Sequence, residues 1–181
     1  MPPARRADAL VNRERILEVA RDALAESGCA SLNSIAKRAC VGAGTLYRHF
    51  PTREELVLAV YRHEVQRLVD RAPRLLAEVG PEEAFRRWAS GLAGYVKVKH
   101  GLGEAFSAAT RENLVSESYA QVSAAVAALL AAGTRAGVFR AGLAADDVLL
   151  LMGGMWRVPP GPDGERQAER VLGLVVAALR A

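Results

Sequence analysis

The sequence is short of the residues that small-site chemistry depends on. Its 181 residues include two cysteines, Cys29 and Cys40, and three histidines, at 49, 63 and 100. Two thiols cannot form the disulfide framework of a small secreted domain, and there is no C-x-x-C clip. If both lay on one short helix they would stand roughly 13 Å apart, beyond the roughly 7 Å reach of a disulfide. His63-Glu64 begins an H-E-x-x-H pattern, but Arg67 stands where the second histidine belongs. A Glu-x-x-His pair, a P-loop and a G-x-G-x-x-G turn are also missing, so neither an enzyme nor a metal or cofactor site is expected.

Long apolar runs are missing too. The longest strongly apolar one, Val148 to Trp156, is broken by Gly153 and Gly154, whereas a membrane span needs about 20 residues. Met1 to Arg6 has no apolar stretch behind its two arginines that could serve as a secretory signal. The expectation is a cytoplasmic protein with reduced thiols and no membrane partner. Net charge is small, +4 from 24 basic and 20 acidic residues, and 51% of the residues are hydrophobic. That balance excludes a disordered chain and leaves enough apolar surface for a sizeable core. Residues 1–71 carry 12 basic and 9 acidic side chains, the remainder 12 and 11. The small basic excess of the first part, with Arg5 and Arg6 on an expected mobile arm, suits phosphate binding but also suits an ordinary solvated surface.

Apolar residues recur at i, i+3, i+4 and i+7 along most of the chain, which predicts an all-α fold of about nine helices. A first helix is expected from about Asn12 to Ser27, with Ile16, Leu17, Ala20, Ala23 and Leu24 inward and Gly28 as its stop. Ser31 can cap a short second helix carrying Ile35, Ala36 and Ala39, and a third runs from about Ala43 to His49 with Leu46 and Phe50 turned inward. Thr52 and Glu55 form a capping box that opens a long fourth helix, which Pro73 should kink or end. Further helices are expected from Pro81 to about Lys99, Glu104 to Thr110, Leu114 to Ala136, Ala145 to Arg157 and Gly164 to Arg180.

Residues 31–50, SLNSIAKRACVGAGTLYRHF, place two short helices on either side of a three-residue turn. Such a pair also occurs in proteins that bind nothing. Here Gly42, Ala43, Gly44 and Thr45 keep the start of the third helix small enough to approach a DNA groove, with its exposed amides facing phosphates. Thr45, Tyr47, Arg48 and His49 add polar and cationic groups within one and a half turns, flanked by Lys37, Arg38 and Arg53.

Over about Asn12 to Tyr61 the chain resembles the TetR family of bacterial transcriptional regulators. The likeness rests on Ser31, Ile35-Ala36, Ala39, Val41, Gly44-Thr45-Leu46-Tyr47, His49-Phe50-Pro51 and Glu55-Leu56. Ala84 to Trp88 and Val148 to Gly154 are similar to an actinobacterial branch. The resemblance implies a helix-turn-helix domain over 1–51, a connecting helix over 52–72 and a ligand-binding and dimerisation domain over 73–181. It implies that Tyr47 and His49 touch phosphates, that Ser31 and Arg53 hold the DNA backbone, and that Ala43, Gly44, Thr45 and Arg48 read base edges. Tyr47 can also pack its ring against the fourth helix while exposing its hydroxyl. One departure is Cys40, where the family usually has glycine as the first residue of the turn. A left-handed backbone there costs a side chain roughly 1 to 2 kcal/mol.

In the second domain Trp88, Tyr95, Phe106, Tyr119, Met152, Met155 and Trp156 could line the apolar cavity that the family resemblance implies, or could be plain core. His100, Arg111 and Glu112 are either polar anchors or surface residues. The stretch Asp146 to Trp156 is apolar nearly all round and should be buried on more than one side. With the stripe Ala168, Leu172, Val175, Val176 and Leu179 it suits a four-helix dimer interface through Leu149, Gly153, Leu172, Val175, Val176 and Leu179; burial inside one subunit is the alternative. The expected function is a homodimeric repressor of a palindromic operator on double-stranded DNA, released by a small-molecule effector. The competing expectation is a small-molecule binding protein or enzyme with a residual helix-turn-helix.

Overall fold

The computed structural model describes residues 3–26, 30–92, 108–158 and 161–181. The helices are α1 (Pro3–Glu26), α2 (Leu32–Arg38), α3 (Ala43–His49), α4 (Arg53–Glu78), α5 (residues 81–92), α6 (Ala108–Arg135), α7 (Ala145–Met152) and α8 (Pro162–Leu179). A 3-10 helix, Gly153–Arg157, follows α7. The all-α architecture expected from the apolar periodicity is the one observed. Among the described residues there is no strand, only an isolated antiparallel bridge between Phe139 and Arg180.

The chain forms two compact units. The first holds α1, α2, α3, α4 to Glu64 and the start of α6 to Asn113; the second holds α4 from Val65, α5, α6 from Leu114, α7 and α8. In the first unit Ile16, Leu17, Ala20 and Ala23 of α1 are buried with Ile35, Ala36, Ala39, Leu46, Phe50, Leu56, Val57, Val60 and Tyr61. These positions form one stripe on each helix, so burial fixes which face of α3 is left for solvent. Arg21 of α1 faces Glu64 of α4 at 3.7 Å.

In the second unit α5 is anchored by Trp88, fully buried, whose indole Nε1–H donates to the Leu68 carbonyl of α4 at 2.8 Å. Phe85 meets Phe139 edge to face, with centroids 5.9 Å apart. After α6 the chain reverses through Gly137 and Gly142, whose φ values of +69° and +79° suit glycine. The turn brings Arg140 N–H to the Leu179 carbonyl (2.9 Å) and Ala181 N–H to the Val138 carbonyl (3.2 Å). Arg180 closes the arrangement with two bonds to the Glu82 carboxylate, 3.0 and 2.6 Å, and its hydrogen bonding holds that carboxyl below the usual glutamate range.

Several boundaries differ from expectation. Helix α1 starts at Pro3, so Arg5 and Arg6 belong to a helix and not to a mobile arm. Nothing from Ala4 to Val11 breaks a helix, and proline suits a first turn. Helix α4 continues through Pro73 to Glu78. Pro73 is exposed while Ala72 and Leu75 beside it are buried, so water can hydrate the carbonyl that loses its partner and core contacts hold the helix together. The two segments expected around 104–110 and 114–136 meet in one helix from Ala108, because Arg111, Glu112 and Asn113 contain no breaker. Residues 145–157 tighten to 3-10 geometry at Gly153, and Val158 is extended at φ −69°, ψ 144°, as the residue before a proline tends to be. Helix α8 begins at Pro162, earlier than expected, after Gly161 at φ +111°.

A methyl group added to Gly133 would overlap the buried Phe139 ring. Gly133→Ala is therefore expected to destabilise the protein by about 1 to 3 kcal/mol despite the better helix propensity of alanine. Urea unfolding measures this, and an unchanged midpoint would mean that Phe139 has room to move.

Candidate nucleic-acid interface

The segment from Ser31 to Arg53 is organised by its two helix ends. Ser31, in extended conformation, caps α2 as expected: its Oγ accepts from Ser34 N–H at 3.2 Å. That bond uses an oxygen lone pair and leaves the hydroxyl proton available. At the other end Cys40 N–H donates to the Lys37 carbonyl (3.1 Å) and Val41 N–H to the Ala36 carbonyl (3.0 Å). These are the paired bonds of a Schellman closure, which needs a left-handed residue after the cap. Cys40 supplies it at φ +52°, the one non-glycine with positive φ among the described residues. The strain anticipated at this position is present, and the thiol is free and exposed.

The turn delivers the chain to α3. Gly42 is its N-cap and has no side chain to offer; Thr45 and Leu46 N–H both reach the Gly42 carbonyl, at 2.9 and 3.1 Å. Leu46 and Phe50 are buried, whereas Ala43, Gly44, Tyr47 and Arg48 are exposed and Thr45 and His49 half-buried. Nothing lies within 4 Å of where a Cβ of Gly44 would stand. Tyr47 is 44% exposed, which makes its hydroxyl accessible and limits the packing role considered for its ring. Arg48 folds back on its own helix, donating Nε–H to the Gly44 carbonyl (3.0 Å) and a terminal N–H to Thr45 Oγ1 (3.4 Å).

Helix α4 begins beside this face. Thr52 Oγ1 accepts from Glu55 N–H at 3.2 Å, the threonine half of the expected capping box, and Arg53 is half-buried in the first turn. Lys37 is exposed on α2. Arg38, its neighbour, is bound to Glu26 by two bonds of 2.7 and 3.1 Å; that pairing holds the glutamate low and the guanidinium high. Ser31, Lys37, Ala43, Gly44, Thr45, Tyr47, Arg48, His49 and Arg53 thus all lie in the first unit, on or beside the uncovered parts of α2, α3 and the α4 start.

Of the residues expected around an effector, the described side chains are Trp88, Tyr119, Met152 and Met155. Trp88 and Met152 are fully buried core, Trp88 with its one donor already used. Tyr119 is exposed on α6; desolvation and the adjacent Asp146 carboxylate push its hydroxyl above the usual tyrosine range. Met155 borders a cleft of about 240 Å³ together with Ala89, Ser90, Glu165, Ala168, Glu169 and Leu172. Tyr95, Phe106 and His100 fall outside the described residues, as do the side chains of Arg111, Glu112 and Trp156.

The residues expected at a dimer seam differ in exposure within the single chain. Leu172, Val175, Val176 and Leu179 are buried within the subunit, because α8 turns that stripe onto its own unit. Leu149 and Gly153 are half-buried. On these two helices the large apolar side chains left in solvent are Leu150 and Leu151 of α7, 79% and 58% exposed, and Leu174 of α8, 71% exposed. Within the stretch expected to be buried on more than one side, Val148, Met152 and Met155 are buried while Leu150 and Leu151 are open. Leu174 follows the buried Leu172 by two positions, which on a helix points it elsewhere; that offset was the signal in the sequence.

With this geometry in place, comparison with known proteins is informative. Residues 16–60 match the model of bacterial regulatory proteins of the tetR family, and residues 80–181 match that of the C-terminal domain of SbtR-like transcriptional regulators. A TetR transcriptional regulator from Streptomyces coelicolor has the same fold at a TM-score of 0.85 and 40% identity, over 93% of this chain and 98% of that one. A TetR transcription regulatory protein from Mycobacterium vanbaalenii gives a TM-score of 0.78 and 36% identity, over 97% and 99%. An HTH-type transcriptional regulator of Staphylococcus aureus is 39% identical over 66 residues, 35% of this chain. The chain spans only about a third of the length of that curated relative, 36%.

Glycine at position 40 would relieve the left-handed cost while keeping both closure bonds. Cys40→Gly is expected to stabilise the protein by up to about 1 kcal/mol, less than the full strain because glycine also loosens the unfolded chain. Denaturant titration decides it, and a lower midpoint would show that the thiol makes contacts worth more than the strain.

Proposed function

We propose, from the premise that this chain belongs to the TetR family of bacterial transcriptional regulators, that it is a ligand-responsive repressor acting as a homodimer in the cytoplasm. The family's members are DNA-binding regulators, not enzymes. The observation that carries the reading is the division of α3: Leu46 and Phe50 are locked in the core, and Ala43, Gly44, Tyr47 and Arg48 are left open. A helix held by one face and small at its start is suited to a major groove. Tyr47, His49, Ser31 and Arg53 then position the backbone, with Lys37 at the flank, while Ala43, Gly44, Thr45 and Arg48 read bases.

A palindromic operator requires two such heads, one helical turn apart or a multiple of it. Leu150, Leu151 and Leu174 supply an uncovered apolar surface suited to a second copy of the chain, in place of the buried stripe of α8. An effector that favours one state of the second unit would shift the population of DNA-competent dimers, since only differential affinity can do so. Helix α4, which carries residues of both units, is the element through which that shift would pass.

Two measurements test this reading. In a gel shift with the DNA upstream of its own gene, Tyr47→Ala and Arg53→Ala should each weaken binding about tenfold at every sequence variant, a loss near 1.4 kcal/mol. Thr45→Ala should instead alter the ranking of variants, and absence of any salt-sensitive, sequence-dependent binding by the unaltered protein would refute the repressor. In sedimentation, Leu150→Glu with Leu174→Glu should give a folded monomer, because both positions are already solvated in the single chain. Leu172→Glu with Val176→Glu should unfold it, since unpaired charges would enter the core. A Leu150→Glu, Leu174→Glu protein that remains dimeric would move the interface elsewhere.

A further inference from the structure

The first unit contains a cleft of about 410 Å³ that shares only His49 with the proposed DNA contacts. Three elements wall it: Arg13 from α1, His49 and Phe50 from the end of α3, and Glu55, Arg62 and His63 from the first half of α4. Its volume lies in the range of small-ligand pockets. Two permanent cations and two imidazoles face one carboxylate, so the polar wall is predominantly of N–H donors. The Arg13 guanidinium rests 5.5 Å from the centre of the Phe50 ring, a contact that employs its face and leaves its in-plane donors for another partner. Neither Arg13 nor Arg62 has an ion-pair partner among the described residues.

A metal cation is a poor occupant. His49, His63 and Glu55 are the ligand types a metal would need, yet among the described residues no three such groups converge closely enough to hold one. Arg13 and Arg62 are exposed at the rim, and an apolar ligand would displace water from them and from the imidazoles without offering an acceptor in return. An oxyanion suits what remains, because guanidinium groups reaching in from separate helices can share its oxygens through charge-assisted bonds.

We infer that this cleft binds a phosphate group, through Arg13 and Arg62 with His49 and His63 as further donors. The phosphate has two possible sources, a DNA strand passing the end of α3 or a free phosphate compound, and the chemistry of recognition is the same for both.

The test uses the full chain and inorganic pyrophosphate at constant ionic strength. Calorimetry should show saturable binding, weakened about tenfold or more by Arg13→Gln or Arg62→Gln and unchanged by Arg74→Gln on the exposed side of α4 in the other unit. Circular dichroism checks that each variant is folded. In the unaltered protein the His49 and His63 imidazole resonances should shift along the same saturation curve, a readout that needs no substitution. A second arm titrates a mixed-sequence DNA duplex against salt. If Arg62→Gln flattens the dependence by about one phosphate contact and pyrophosphate displaces the duplex, the source is the DNA backbone. If DNA binding is unaffected while pyrophosphate binding falls, the source is a free phosphate compound. Should pyrophosphate leave both imidazoles unmoved, and the arginine variants change neither titration, the inference is wrong. The pyrophosphate arm stands independently of the repressor reading, because it involves no DNA.

Discussion

The geometry of the first unit depends on the reversal at Cys40. Two backbone bonds, from Cys40 to Lys37 and from Val41 to Ala36, close α2 and set the direction in which α3 leaves. They form only when Cys40 takes a left-handed conformation, which costs a side chain roughly 1 to 2 kcal/mol. Each bond returns roughly 0.5 to 1.5 kcal/mol, so the closure is near balance by itself. The surplus comes from burying Ile35, Ala36 and Ala39 on one side of the turn and Leu46 and Phe50 on the other. Core packing therefore holds a strained turn, and the turn determines which side chains of α3 meet solvent.

Much of this was legible in the sequence because the signals are local. Ser31 three residues before Ser34, the small run from Gly42 to Thr45, and the apolar pair Leu46 and Phe50 each specify a helix end or face within one or two turns. Cys40 was legible as a departure only through the family resemblance, which implies glycine there, and the structure shows the positive φ that such a glycine would supply. Pro73 and the start of α1 were less legible, because each depends on surroundings rather than on sequence neighbours. A proline's effect on a helix turns on whether its lost bond faces water, and only the structure shows that Pro73 is exposed. The candidate interface was readable for the further reason that binding surfaces lie on short local elements.

The second unit was less transparent because periodicity identifies an apolar face without identifying what covers it. Leu172, Val175, Val176 and Leu179 have the spacing of a seam between subunits, and the same spacing serves a core. The decision comes from distant elements: the Phe139 bridge to Arg180, the Arg180 clamp on Glu82, and α5 held by Trp88 draw α8 inward along that stripe. What remains outward is set by subtraction, which leaves Leu174 on α8 and Leu150 and Leu151 on α7 exposed. Trp88 follows the same logic. A tryptophan on a helical face reads equally as cavity wall or core, and its hydrogen bond to the Leu68 carbonyl makes it core.

The folded-back Arg48 bears on how sharply such a head could discriminate between operators. In the free chain its guanidinium is already bonded to the Gly44 carbonyl and the Thr45 hydroxyl. Reaching a guanine edge would mean giving up those bonds, so the gain is a difference between two hydrogen-bonded states. At a wrong base the side chain can stay where it is and keep those two bonds. The penalty for a mismatch at Arg48 then falls toward the low end of the roughly 1 to 3 kcal/mol usual for a bidentate contact. Thr45 is coupled to it, because its hydroxyl is one of the two acceptors that Arg48 releases. Sequence preference in the proposed complex would accordingly be a shared property of Thr45 and Arg48, and their contributions should not add independently.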